Sequence, residues 1–222
     1  MNDDNTYMIK QIKLYVVLIL VFIVSTLASN IVASCLISFG KIILPGGAFI
    51  FPITYFIGNI VAEIYGLRNS RRMIELGFFS NILMILLINM VIYMPHPLAF
   101  TYSEMYKVVL TSSFRVYLAS MVAYLAGELL NAIILIRIKK YTKGRFLWIR
   151  TLFSTIVGQI FDTTIFIFIS FIGLYDFRIV MNMIIWQFTF KIIIEIILLP
   201  VTYFLIGYIN KRFKYYDCEV QI

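Results

Sequence analysis

Histidine and cysteine are nearly missing from this chain: its 222 residues include one His, His96, and two Cys, Cys35 and Cys218. Two cysteines cannot build a disulfide framework, and Cys35 reads as a small packing residue within an apolar run. A single histidine between Pro95 and Pro97 offers no metal-ligand set, and it leaves no base for a serine nucleophile. There is no HExxH, no Cys/His cluster and no phosphate loop. These absences argue against an enzyme, and no cofactor or metal is expected. Charge is also scarce, at 14% of residues, whereas 62% are hydrophobic.

What is present is apolar sequence in long continuous runs, with a mean hydropathy of +0.94. A soluble domain of this length could not bury that much apolar surface, and a transmembrane barrel would show short alternating stretches instead. The fold expected is all-α and polytopic. A single integral membrane domain, 1–222, would hold six transmembrane helices at about 14–39, 48–66, 73–94, 110–136, 146–174 and 184–209. Lys10 and Lys13 followed by an apolar run imitate a cleaved signal peptide. The run continues to Phe39, however, which is longer than a signal-peptide core, so it is read as span 1.

The net charge of +8 suggests nucleic acid only until it is placed along the chain. With six spans, fourteen basic residues fall on one side: Lys10, Lys13, Arg68, Arg71, Arg72, the run from Arg137 to Arg150, and Lys211, Arg212 and Lys214. Only Lys41, Lys107 and Arg178 fall on the other, with Arg115 and Lys191 inside spans. The positive-inside rule then puts both termini in the cytoplasm. Nucleic acid is not an expected partner; the lipid bilayer is.

Polar residues inside spans are costly and by default functional. Phe51 to Gly66, FPITYFIGNIVAEIYG, carries Asn59 and Glu63 four apart on one helical face, with Gly66 placed to cap the helix. Thr155, Gln159 and Asp162 form a stripe in span 5, and Asp162 is the only Asp within a span. That excludes an intramembrane aspartyl protease, which needs two. Asn30 in span 1 needs partners from another helix. Glu128 and Asn131 share a face in span 4, and Lys191 and Glu195, four apart in span 6, can neutralise each other. Glu75 is expected to pair with the nearby arginines. Most of these polar residues come out near mid-span, where secondary transporters place substrate. Gly58-Asn59-Ile60 before Glu63 is echoed by Gly158-Gln159-Ile160 before Asp162, which suggests a 3+3 inverted repeat.

Read together, these motifs resemble the queuosine precursor transporter family, once labelled vitamin uptake transporters. The resemblance rests on Ser29-Asn30, the FP…E-x-Y-G segment at 51–66 with the arginines after it, and Gly127. It continues through S-T-x-x-G-Q-x-x-D at 154–162, Phe166, Phe171, Phe190-Lys191 and Pro200. Asn59 departs from the pattern, which has Asp there, so position 59 loses a charged role. The resemblance implies a multi-pass importer of the bacterial inner membrane. Its substrate would be a 7-deazapurine such as preQ0, preQ1 or queuine, destined for tRNA modification. Such an edge sets N–H donors beside a carbonyl, matched by carboxylates and amides, while aromatic rings stack on its face. The expected substrate-binding residues are Asp162 and Glu63 as carboxylates and Gln159, Asn59 and Asn30 as amide readers. Glu128 and Lys191 stand behind them, and Phe51, Tyr55 and Phe166 are the stackers. The alternative is a membrane-embedded binding subunit for a vitamin-like solute, powered by partner proteins. The sequence leaves open the energy source and whether the chain forms a homo-oligomer.

Overall fold

The computed structural model describes residues 3–213, apart from 34, 40–41, 96, 98–101, 103, 106, 108–113 and 143–146. The readings placed on Lys41, His96, Lys143, Arg145, Lys214 and Cys218 lie outside the described residues.

Helix α1 (Asp3–Val32) follows from an apolar run with no proline or glycine to interrupt it. It ends seven residues before the limit of 39 expected for span 1. The chain turns there into an antiparallel hairpin, β1 (Leu36–Phe39) against β2 (Ile42–Pro45), with Leu36 opposite Pro45 and Phe39 opposite Ile42. A 3-10 turn, Gly46–Phe49, leads on to the next helix. This return presses so closely on α1 that a Cβ on Gly46 would lie 2.7 Å from the Val32 carbonyl oxygen, and one on Gly47 2.7 Å from that of Ser29. Cys35 sits at the mouth of the hairpin and is exposed, so it is not the packing residue expected from the sequence.

Helix α2 (Phe51–Ile92) starts with Pro52 in its first turn, where the missing N–H costs nothing, and is broken at Gly66 by φ 77 and ψ 178. Contacts on either side of the break fix the path of the chain. Gly47 lies at Ser29, and Tyr65 Oη donates to the Gln11 carbonyl at 3.0 Å, so the first half runs down α1. Tyr15 Oη donates to Asn69 O at 2.8 Å and Asn30 meets Asn81, so the second half runs back up beside it. The chain doubles back at Gly66, where the sequence placed the end of the first of these helices.

Helices α3 (Phe114–Tyr141), α4 (Leu147–Phe171) and α5 (Phe177–Phe213) complete the bundle, with Pro200 inside α5. Five segments are long and apolar enough to cross a membrane by length and composition, and the one at 46–92 has 47 residues. A helix of that length would measure about 70 Å, roughly twice the ~30 Å hydrocarbon thickness, and the reversal at Gly66 removes the mismatch.

Where α3 and α4 cross, glycine meets glycine. A Cβ on Gly158 would lie 2.8 Å from Gly127 O, and one on Gly127 2.5 Å from Tyr55 Oη. Small residues let the two backbones approach, as they do in membrane bundles generally. The main apolar core gathers Phe22, Tyr55, Ile60, Val61, Met73, Ile74, Tyr124 and Leu135, while a smaller cluster packs around Ala119, Ala123, Phe166 and Ile167. Leu20, Leu83, Leu86, Ile197 and Phe204 are instead exposed. With apolar side chains outside and many polar ones within, the surface suits lipid rather than water.

Candidate functional site

The polar side chains of the spans form a column down the bundle. On α2, Phe51, Tyr55, Asn59 and Glu63 follow one another at four-residue steps, so their side chains stack along one strip, about 18 Å from first to last. The same spacing on α5 sets Gln187, Lys191 and Glu195 in line, and α4 contributes Arg150, Thr151, Thr155, Gln159 and Asp162, all buried.

The upper layer is a cavity of about 30 Å³ lined by Ser29, Asn30, Pro45, Gly47, Phe51, Ser120, Asp162, Phe166, Gln187 and Lys191, among others. That is room for about one water molecule. Lys191 Nζ donates to Asp162 Oδ2 at 2.6 Å, and both side chains are at most 5% exposed. The same Nζ lies 4.4 Å from the centre of the Phe51 ring, a cation–π contact strengthened by exclusion of water. The spacing of Lys191 and Glu195 on one helix allows them to neutralise each other; Lys191 pairs across helices with Asp162 instead. Asn30 is held in place, its Nδ2 donating to Asn81 Oδ1 at 2.5 Å and its Oδ1 accepting from Ser120 Oγ. Gln187 is 3% exposed and its Oε1 has no protein donor. Gln187 and Ser120 were not among the residues the sequence reading nominated. The signal for Gln187 was its place one turn before Lys191.

The middle layer holds four more of the nominated residues. Asn59 Nδ2 donates to Thr155 Oγ1 and to Glu195 Oε1, each at 3.0 Å, and its Oδ1 accepts from Asn131 Nδ2 at 3.0 Å. One amide thereby ties α2 to α3, α4 and α5. Glu128 faces Gly58, whose Cβ would lie 3.0 Å from Oε2. Tyr55 and Gln159 are buried beside them, and Tyr55 is 5.7 Å from Phe51, ring to ring.

The lower layer closes the column. Glu63 Oε1 accepts from Arg150 Nη2 at 2.6 Å and lies 3.3 Å from Lys139 Nζ, which also donates to the Glu63 carbonyl at 2.9 Å. Glu63 is thus apart from the cavity that Asp162, Asn30, Lys191, Phe51 and Phe166 share. Glu75 is exposed and takes part in none of the ion pairs among the described residues.

Buried polar side chains, an ion pair among them, inside a helical bundle with an apolar exterior define a class: a multi-pass membrane protein. Residues 45–205 match the family described as "Putative vitamin uptake transporter". The chain belongs to that family, the one its motifs pointed to. It is similar to the "Probable queuosine precursor transporter" of Bacillus subtilis (strain 168), with 28% identity over 154 residues, covering 67% of this chain and 66% of that protein. The chain therefore spans about two thirds of the length of the curated relative it matches. No solved structure matches.

Proposed function

We propose that this protein imports a queuosine precursor, a 7-deazapurine, across the bacterial inner membrane by secondary transport. The observation that carries this reading is the Asp162–Lys191 pair in the upper cavity, which Phe51, Phe166 and Gln187 also line. A 7-deazaguanine edge sets N–H donors next to a carbonyl acceptor. Asp162 would accept from the donors, Lys191 would donate to the carbonyl, and Gln187 supplies a further acceptor. The rings supply faces for stacking. Asn30 and Asn59 then serve to position helices, and Glu63 to close the inner end.

The cavity is too small for a bicyclic base, so the conformation described is a closed one and binding requires the upper end to part. In this reading the two halves of α2 are separate crossings, giving six, with both termini cytoplasmic. Gln11, Tyr65, Arg150, Lys139 and, through the Trp148 N–H to Tyr203 Oη bond of 2.8 Å, the last turns of α5 all gather at one end of the bundle. Most of the basic residues lie there, as a cytoplasmic face requires. Residues 51–63 of α2 and 150–166 of α4 run in opposite directions along the column, the relation an inverted repeat demands.

The test is uptake of labelled precursor by liposomes containing this protein alone. Uptake with saturation, blocked by excess unlabelled 7-deazapurine, is the expected result. Saturable binding without uptake would replace this reading with that of a binding subunit that needs an energising partner.

A further inference from the structure

Below the cavity, the middle layer holds two carboxylates, Glu128 and Glu195, each 1% exposed. No ion pair among the described residues involves either one. The cations of the column are engaged above and below, Lys191 by Asp162 and Arg150 and Lys139 by Glu63. The titratable groups around the pair are Tyr55 on α2, Tyr124 on α3, Asp162 on α4 and Lys191 on α5. An ionised carboxylate buried without a counter-charge is strongly disfavoured.

The hydrogen bonds tell the same story independently. Glu195 Oε1 accepts from Asn59 and Thr155, yet Oε2 has no protein donor, and neither has Glu128 Oε1. Asn131 Oδ1 and Gln159 Oε1, in side chains also 1% exposed, are acceptors without donors as well. A proton on each carboxylate removes the buried charge and turns two of these four acceptors into donors.

We propose that Glu128 and Glu195 form a proton-binding site separate from the substrate cavity, loaded from one face of the membrane and emptied at the other as the ends of the column open in turn. Loading forms a carboxyl O–H bond as one O–H bond of a hydronium ion breaks and leaves water; emptying reverses this. The inference deepens the transport reading and rests on it: inward proton movement through this layer is what would drive import.

Two readouts separate the inference from its foundation. Infrared spectroscopy of the purified full chain at neutral pH should show protonated-carboxyl C=O absorption that Glu128→Gln and Glu195→Gln each reduce. In liposomes, an acidic exterior should stimulate precursor uptake, and each variant should lose that stimulation. Exchange of labelled for unlabelled precursor by the wild type, with no response to a pH gradient, would overturn the proton site while leaving the transporter standing. So would a response to a sodium gradient instead. Absence of both uptake and exchange would bring down the transport reading; protonated carboxyls removed by these variants would still mark the layer as proton-binding, and an unchanged spectrum would sink that too.

Discussion

Asp162 and Lys191 meet at 2.6 Å and both are buried, so the charge of each is offset by the other. Asp162→Asn strands a buried ammonium group, and a broken buried pair costs about 3–5 kcal/mol. The variant should unfold earlier in detergent and lose uptake. Adding Lys191→Met should restore much of the stability and none of the uptake, whereas a double variant no more stable than the single one would show that the pair is not what holds this region. Asp162 was legible in the sequence because a lone carboxylate within an apolar run has few structural explanations. Its partner was not: Lys191 lies four residues from Glu195, and spacing along one helix says nothing about which neighbour a side chain meets across a bundle. Asn59 shows the same limit. Its depth marked it as important, but the spacing gave no hint that its amide would engage Asn131, Thr155 and Glu195 on three other helices.

The elements depend on glycines placed for different reasons, and substitution should separate them. Gly66 has φ 77 and ψ 178 with nothing within 4 Å of a new Cβ, so Gly66→Ala should cost about 1–3 kcal/mol from a backbone conformation that is essentially open to glycine alone. Gly207 also has open space around it but lies within α5. Gly207→Ala should therefore be neutral or stabilising, by up to about 1 kcal/mol. Gly158→Ala meets the Gly127 carbonyl at 2.8 Å, and overpacking of that kind costs about 1–3 kcal/mol. Thermal unfolding of the three purified variants checks the order, and equal losses would contradict it. The helices and an interruption at Gly66 could be read from apolar runs and turn chemistry. The hairpin at 36–45 could not, because Leu36–Phe39 continues the hydrophobicity of α1, and its conformation is set by the close return of Gly46 and Gly47 against that helix.

At the scale of the whole molecule, the two seals of the proposed import path are the narrow upper cavity of about 30 Å³ and, below, Glu63, Arg150 and Lys139. Import requires these seals to open alternately. Glu63→Gln weakens the lower one, so a cysteine at Ser154, buried one turn above Arg150, should react faster with a thiol reagent from the cytoplasmic side, in a chain whose Cys35 and Cys218 are serine. Unchanged labelling would mean that the ion pairs do not form the inner closure. The central claim is carriage of a queuosine precursor, and it is tested most directly in a bacterial strain that can neither make nor import such precursors. Expression of the wild-type chain should restore queuosine in tRNA at limiting external precursor, and Asp162→Asn, at equal abundance in the membrane, should not. Failure of the wild type to restore tRNA queuosine with any precursor, despite normal membrane abundance, would contradict the account.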